Sequence, residues 1–172
     1  MLDAAQYFSV ESLPNGQRVE IRALKPDDRS DFLAAVDRTS AGSLYRRFFG
    51  VKQNFTSEEV EFFLRIDFIT HVALVAVAEE VGRPAIVGAG RYIIAEPTRA
   101  EVAFAVIDQY QRQGIGGALL RHLAAIARET GLKELFADVL PDNLPMLKVF
   151  ENCGLAVRTK RDMGTINVII RP

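Results

Sequence analysis

The sequence is poor in the residues that build cross-linked or metal-dependent sites. Its single cysteine, Cys153, excludes an intrachain disulfide framework and a zinc site made of four cysteines. No cluster of His, Cys, Asp and Glu has the spacing of metal ligands, and the two histidines, His71 and His122, are interpreted as structural. We therefore expect a domain that depends on its apolar core and binds no metal.

Strong charge of one sign and long apolar runs are also missing. The net charge is −1, so no overall field would attract nucleic acid or an anionic membrane. The apolar run from His71 to Ala78 is too short to span a bilayer, and the N-terminus lacks the basic and apolar regions of a signal peptide. The sequence thus predicts a cytoplasmic protein, and its small basic clusters, such as Arg46-Arg47, are interpreted as solvated faces or local phosphate contacts.

The stretch Glu101–Thr130 predicts a strand, a glycine-rich loop and a helix. Residues 101–107 form a short apolar run, which is typical of a mostly buried strand. Three glycines lie within positions 114–117, and from Ile115 apolar residues recur at helical spacing until Gly131. Backbone N–H groups at such a helix entrance can approach a ligand closely, at the positive end of the helix dipole. This predicts a pyrophosphate site, with close packing of helix and strand as the alternative reason for the glycines.

Two other glycine-rich phosphate loops are excluded by neighbouring residues. A P-loop needs Gly-Lys followed by Ser or Thr, which is absent here. A dinucleotide-binding loop needs a third glycine where this chain has Leu119.

Two motifs resemble the GNAT N-acetyltransferase superfamily. The pattern Gln111-x-x-Gly114-x-Gly116 is similar to the Gln/Arg-x-x-Gly-x-Gly/Ala loop with which that family binds the pyrophosphate of acetyl-CoA. Downstream, the segment from Asn143 resembles the family's Asn-led helix, which ends in Gly-Phe; here Leu155 replaces the Phe. The two motifs occur in the family's order and at its usual separation.

Three N-terminal segments, Gly16–Arg22, Ser43–Phe49 and His71–Ala76, resemble the acetyltransferase domain of Pat-type bacterial protein lysine acetyltransferases. The similarity runs from about Leu13 to the C-terminus. It implies a single GNAT acetyltransferase domain over residues 1–172. No cyclic-nucleotide-binding or acyl-CoA-synthetase-like domain is appended, so we expect a free-standing catalytic domain, as a monomer or homodimer.

The expected fold class is α+β, often filed as α/β. The segments 71–78 and 85–94 predict an antiparallel hairpin, and 135–140 predicts a further strand beyond the glycine-loop helix. The arrangement implied is a GNAT-like mixed, mostly antiparallel central sheet flanked by helices, with the glycine-loop helix after the central strand.

The resemblance implies acetyl-CoA as cosubstrate and an amine acceptor, a protein lysine, without metal or nucleic acid. The implied cosubstrate contacts lie in the central strand, in the glycine loop and on the Asn-led helix. They are Phe104, Ala105, Val106, Gln111, Arg112, Gln113, Gly114, Ile115, Gly116, Gly117, Asn143 and Phe150.

Acyl transfer to lysine requires a neutral amine, and a lysine pKa of ~10.4 makes deprotonation at pH 7 cost roughly 4 kcal/mol. A carboxylate in an apolar strand, made more basic by desolvation, can accept that proton. Glu101 resembles the glutamate base of GNAT protein lysine acetyltransferases, and Asp138 in the next strand is the alternative base. The structural alternative for both is a solvated strand charge.

The proton donor for the departing thiolate is not given by the sequence. Many GNAT enzymes carry a Tyr seven residues after the Asn, where this chain has Phe150. Either CoA leaves as the thiolate, or Tyr45, Tyr92 or Tyr110 protonates it. Two rival functions stay open: an acetyltransferase of a small amine or antibiotic, and a CoA-binding sensor domain without catalysis.

Overall fold

Eight strands form one sheet in the order β1-β2-β3-β4-β5-β6-β8-β7. The computed structural model describes residues 2–48 and 55–172, without the side chains of Tyr45, Arg46 and Phe48. The strands are β1 (Phe8–Ser12), β2 (Arg18–Ala23), β3 (His71–Glu80), β4 (Arg83–Glu96), β5 (Arg99–Val106), β6 (Glu134–Val139), β7 (Ala156–Asp162) and β8 (Thr165–Arg171). The described helices are α1 (Arg29–Asp37), α2 (Ala41–Phe48), α3 (Ser57–Leu64), α4 (Ile115–Glu129) and α5 (Leu144–Glu151).

The sheet is mixed and mostly antiparallel, as predicted. Among the described strands, β5 and β6 form the parallel pair, and α4 is the crossover between them. The remaining neighbours pair antiparallel, including the predicted hairpin of β3 and β4. The expected fold class is therefore confirmed.

Helices cover both faces of the central strands and divide the core into two parts. One part packs α1 and α3 onto the sheet through residues such as Phe32, Val60 and Val75. The other part packs α4 and α5 onto the opposite face, with Leu119 and Leu123 fully buried. Because apolar side chains are needed on both faces, β3 is an almost unbroken apolar run instead of an alternating one.

Close contact between α4 and the sheet depends on small residues in β4. A Cβ atom added at Gly90 would lie 2.8 Å from the Cδ1 atom of Phe104 and 3.1 Å from the Cδ1 atom of Leu123. Gly90 thus leaves room for the Phe104 ring between β4 and α4. This packing fixes the position of the glycine-loop helix, α4, against the central strand, β5.

Polar contacts fix the elements at the N-terminal edge. The His122 ring on α4 contacts the Tyr7 hydroxyl through Nδ1, and its Nε2 lies 2.7 Å from an Oε1 oxygen of Glu11 on β1. Arg22 donates two hydrogen bonds to the Asp28 carboxylate, which also accepts from the Lys25 amide. These bonds hold Asp28 at the end of a short 3-10 turn, Pro26–Asp28, and α1 follows directly from Arg29.

Some predicted boundaries change. The β3–β4 turn is tighter than expected and centres on Val81 and Gly82, which both have positive φ. The segment Ser43–Phe49, which carries part of the resemblance, overlaps α2 (Ala41–Phe48), and Phe49 lies outside the described residues. Within the described part of the chain, no helix is both long and apolar enough to cross a membrane.

Candidate active site

The central feature of the site is a gap in the sheet between β5 and β6. The two strands pair only at Arg99–Glu134, Ala100–Leu135 and Glu101–Phe136. Beyond Glu101 they separate, while β5 continues to pair with β4 as far as Val106. Backbone groups of 102–106 that point away from β4 therefore face the gap, where a ligand can take the place of a neighbouring strand.

The glycine loop lies at the open end of this gap. It follows a 3-10 turn at Asp108–Tyr110 and leads into α4, with Gly114 at the N-cap in the left-handed conformation (φ 94°). Arg112 also has a positive φ of 63°, which is unusual for a residue with a side chain. The first N–H groups of a helix have no intrahelical acceptor, and no side chain caps α4. These groups can receive the oxygens of a pyrophosphate.

Two glutamine side chains fix the loop through hydrogen bonds. The Gln111 side-chain amide donates to the carbonyl oxygen of Val106 (3.0 Å) and to the Ser43 hydroxyl (3.1 Å), which links the loop to β5 and α2. The Gln113 amide donates to the Gln109 carbonyl oxygen. The predicted cosubstrate role of both residues is thus accompanied by a structural one.

The glycines of the loop do not all serve the same purpose. A Cβ atom at Gly116 would lie 3.2 Å from a methyl group of Val149 on α5, so Gly116 also allows α4 and α5 to pack closely. At Gly117 the nearest atom is the flexible Arg121 guanidinium, at 3.3 Å. The packing partner of Gly116 is therefore helix α5 and not a strand, as the alternative explanation expected. Gly117 has no comparable packing contact among the described residues, so a ligand role of the loop can be tested there separately.

Glu101 lies at the point where β5 and β6 separate. It is paired with Ile93 of β4 on one side and Phe136 of β6 on the other, on the face away from α4. Its side chain is exposed, so the expectation of a desolvated carboxylate is wrong for this structure. Arg47 of α2 is close enough to interact with it: burial lowers the pKa of Arg47, and the charge of Glu101 offsets part of this effect.

Asp138, the alternative base, is also exposed and lies on β6 beyond the separation point. Its Oδ1 oxygen accepts a hydrogen bond from the Asn167 amide on β8 (3.0 Å). The two carboxylates are thus on different sides of the gap.

An apolar cavity opens beside Glu101's strand, on the face covered by α1, α2 and α3. Its floor consists of small residues from β4 and β5, namely Gly88, Ala89, Ala103 and Ala105. Its walls carry the aromatic rings of Phe32, Phe55 and Phe63. The cavity adjoins residues 104–106 of β5, which the resemblance implies as cosubstrate contacts.

Two arginines also line this cavity, Arg47 from α2 and Arg91 from β4. Arg91 is only 5% exposed. It donates to the Phe63 carbonyl oxygen (3.2 Å), lies 2.9 Å from His71 Nε2 and stacks 4.6 Å from the centre of the Phe63 ring. Burial, together with the charge of Arg47, lowers the pKa of Arg91 to about 9. Burial and the charge of Arg91 in turn lower the pKa of His71 to about 4.

The structure removes one of the predicted proton donors. Tyr92 is fully buried on the α4 side of the sheet, away from the cavity, so its assignment as an acid is wrong. Tyr110 remains near the loop, where it contributes to lowering the pKa of Glu80. The side chain of Tyr45 lies outside the described parts of the chain.

The Asn-led helix is positioned as predicted. Asn143 caps α5, because its side-chain oxygen accepts a hydrogen bond from the Met146 amide (3.3 Å). Phe150, at the end of α5, is 2% exposed and packs edge-on against Phe104. Its ring belongs to the core, so its burial gives no support to the predicted cosubstrate contact.

The two cavity arginines were not identified as site residues from the sequence. Arg47 was interpreted as part of a solvated basic cluster. Arg91 could have been identified from the sequence as a candidate site residue, since it is the lone charge inside the otherwise apolar run 85–94. Among the residues that the structure describes, no group of three or more His, Cys, Asp and Glu side chains could hold a metal ion.

Comparison with known proteins agrees with this geometry. A family model described as "Acetyltransferase (GNAT) family" matches residues 36–155. The acetyltransferase PA5475 of Pseudomonas aeruginosa is 32% identical over 154 residues, which cover 89% of this chain and 82% of that protein. The acetyltransferase Pat of Mycolicibacterium smegmatis is 33% identical over 153 residues, which cover 88% of this chain and 45% of Pat. The crystal structure of the GNAT domain of S. lividans PAT has a TM-score of 0.86 at 30% identity, covering 96% of this chain and 97% of that one.

The chain belongs to the acetyltransferase (GNAT) family, whose members are N-acetyltransferases. The resemblance to Pat-type domains is likewise confirmed. The chain spans less than half the length of Pat, so it corresponds to one part of that protein.

Proposed function

We propose that this chain transfers the acetyl group of acetyl-CoA directly to the side-chain amine of a protein lysine, with Glu101 as general base. The observation that carries the proposal is the separation of β5 and β6 at Glu101, next to the uncapped N-terminus of α4. The lysine acceptor and a cytoplasmic location follow the similarity to Pat.

The gap and the loop fit the two ends of acetyl-CoA. The pyrophosphate would bind the N–H groups at residues 114–117, where the helix dipole and the absence of side chains favour an anion. The pantetheine arm would lie along residues 104–106 as an extra strand beside β5, with Asn143 of α5 on the other side of the gap. The thioester then lies close to Ala105, on the border of the cavity.

In the reaction, the amine nitrogen attacks the thioester carbonyl carbon, and backbone N–H groups of β5 can stabilise the charge that builds on the oxygen. Glu101 takes the amine proton directly or through one water molecule, since its carboxylate is exposed at the edge of the gap. CoA leaves as the thiolate, which is tolerable because a thiol with a pKa of ~8.5 is a fair leaving group.

The base assignment is tested with Glu101→Gln, which keeps the shape of the side chain and removes its basicity. We expect kcat to fall about 10²–10⁴-fold at pH 7 and to recover in part towards pH 9, where the acceptor amine deprotonates unaided. Acetyl-CoA affinity, measured by calorimetry, should not weaken. Asp138→Asn is the matched control and should cost less; if it abolishes turnover while Glu101→Gln stays near normal, the base is Asp138.

The acceptor is tested separately, by mass spectrometry of a bacterial proteome incubated with the protein and isotope-labelled acetyl-CoA. We expect labelled lysine peptides well above the background obtained when the protein is omitted. Labelling of lysine peptides no higher than this background would argue against a lysine acceptor, even if a small amine proved to be a substrate.

A further inference from the structure

Arg91 is a buried cation without a carboxylate partner. None of the described residues places an Asp or Glu oxygen in ion-pair contact with its guanidinium. Its contacts are a neutral carbonyl oxygen, a histidine nitrogen and the face of an aromatic ring. A buried charge is costly unless it is paired, so a guanidinium in this state is prepared to receive an anion.

A second cation faces the same space. Arg47 lines the cavity from α2 and is close enough to Arg91 to disfavour its charge. Of the described residues that line the cavity, none is acidic. An anion in the cavity would therefore meet the guanidinium group of Arg91, with that of Arg47, whose charge Glu101 also attracts, beside it. A guanidinium group suits the planar, two-oxygen geometry of a carboxylate.

The cavity extends from the thioester segment to Arg91. Ala105 and Ala103 are successive residues on the cavity face of β5, about 6.6 Å apart along the strand. Ala103 lies directly opposite Arg91 in the β4–β5 register. An acyl group that starts at Ala105 and passes over Ala103 therefore reaches the position of Arg91, which is paired with Ala103.

We propose that this cavity binds acyl groups that end in a carboxylate, such as succinyl, with Arg91 and Arg47 as the residues that recognise the terminal carboxylate. The inference rests on the proposed function, because it assumes that a CoA thioester occupies the gap between β5 and β6. The apolar walls accommodate the methylene groups, and the small residues of the floor leave the space for them.

The transfer itself is unchanged by the longer acyl group. The amine nitrogen forms a bond to the thioester carbonyl carbon, the carbon–sulfur bond breaks, and CoA leaves as the thiolate. The amine proton passes to Glu101, and the terminal carboxylate stays ionised throughout. The product is an N-succinyl amine with free CoA.

Binding is tested with two stable thioethers of CoA that differ only in the end of the chain, S-(3-carboxypropyl)-CoA and S-butyl-CoA. Calorimetry on the wild-type protein should show at least tenfold tighter binding of the carboxylate form. Arg91→Met should reduce this preference to about twofold or less, and Arg91→Lys should retain part of it. Arg83→Met, which removes an exposed charge from the start of the same strand, is the matched control and should leave the preference intact.

Transfer is tested with succinyl-CoA and butyryl-CoA by the ratio of their kcat/KM values, which a merely structural role of Arg91 would not change. Folding of each variant is checked by thermal unfolding, and Arg47→Met serves if Arg91→Met does not fold. A wild-type protein that binds S-butyl-CoA as tightly as the carboxylate form overturns the inference, and so does a preference that survives both arginine substitutions. If acetyl-CoA binds but the protein does not prefer the carboxylate thioether, the proposed function holds without this inference. If no CoA compound binds, the proposed function and the inference both fail.

Discussion

Acidification should destabilise the protein through His71. Its pKa is lowered from 6.5 to about 4, first by burial and then by the adjacent charge of Arg91, with Asp67 acting weakly in the opposite direction. Between these pH values the unfolded chain binds a proton that the folded protein does not, so the free energy of unfolding decreases as the pH falls. At about 1.4 kcal/mol per pH unit, the full effect approaches about 3 kcal/mol near pH 4.

The measurement is urea denaturation at several pH values between 7.5 and 4.5, on the wild-type protein and on His71→Gln. The variant keeps a polar side chain beside Arg91 but cannot be protonated, so its stability should fall less steeply with decreasing pH. Carboxylates titrate in both proteins, and their contribution is removed by taking the difference. His122→Gln controls for the loss of a histidine as such. If wild type and His71→Gln lose stability equally over this range, His71 is not the group responsible.

Substitutions at three further positions separate ligand binding from stability. Gly117→Glu should weaken CoA binding at least about tenfold in calorimetry, because the negative charge of the glutamate repels the pyrophosphate. Gly117→Ala, the control, should bind CoA normally. Similar affinities for the two variants would show that the pyrophosphate does not bind at this loop. Gly90→Ala should cost about 1–3 kcal/mol in denaturant unfolding, since its Cβ meets the Phe104 ring, and an unchanged midpoint would show that the ring moves freely. Asp28→Ala should cost about 1–3 kcal/mol, because Arg22 keeps only the Ala23 carbonyl oxygen as an acceptor among the described residues and the Lys25 amide loses its own; a loss below about 0.5 kcal/mol would mean that solvent replaces these bonds.

The central part of the fold could be predicted from the sequence because its signals are local. The apolar run after Glu101 and the helical spacing from Ile115 correspond to β5 and α4. The capping box of Thr56 and Glu59, whose spacing is visible in the sequence, opens α3. Helix spacing and caps depend on residues a few positions apart, which a sequence displays directly.

The cavity arginines could not be predicted in the same way, because their environment is made by distant segments. Arg91 is buried only because α3 places Phe63 over it and β3 places His71 beside it. Glu101 shows the reverse: its apolar neighbours in sequence suggested burial, but its side chain is exposed although its backbone pairs with strands on both sides. The sequence also does not show that Tyr92 points to the α4 face of β4, where it is buried in the core.

The narrow pairing of β5 with β6 has a mechanical consequence. Three residue pairs join a five-stranded block, β1 to β5, to a three-stranded block, β6 to β8. The β5–β6 boundary is therefore a seam in the sheet. Fewer backbone hydrogen bonds cross it than cross a long antiparallel pair such as β3–β4 or β4–β5, so less resists a change of the angle between the two blocks. Under the proposed function, a cosubstrate in the opening would contact both blocks at once and stiffen the seam, so the width of the gap and the fit of its occupant would be set together.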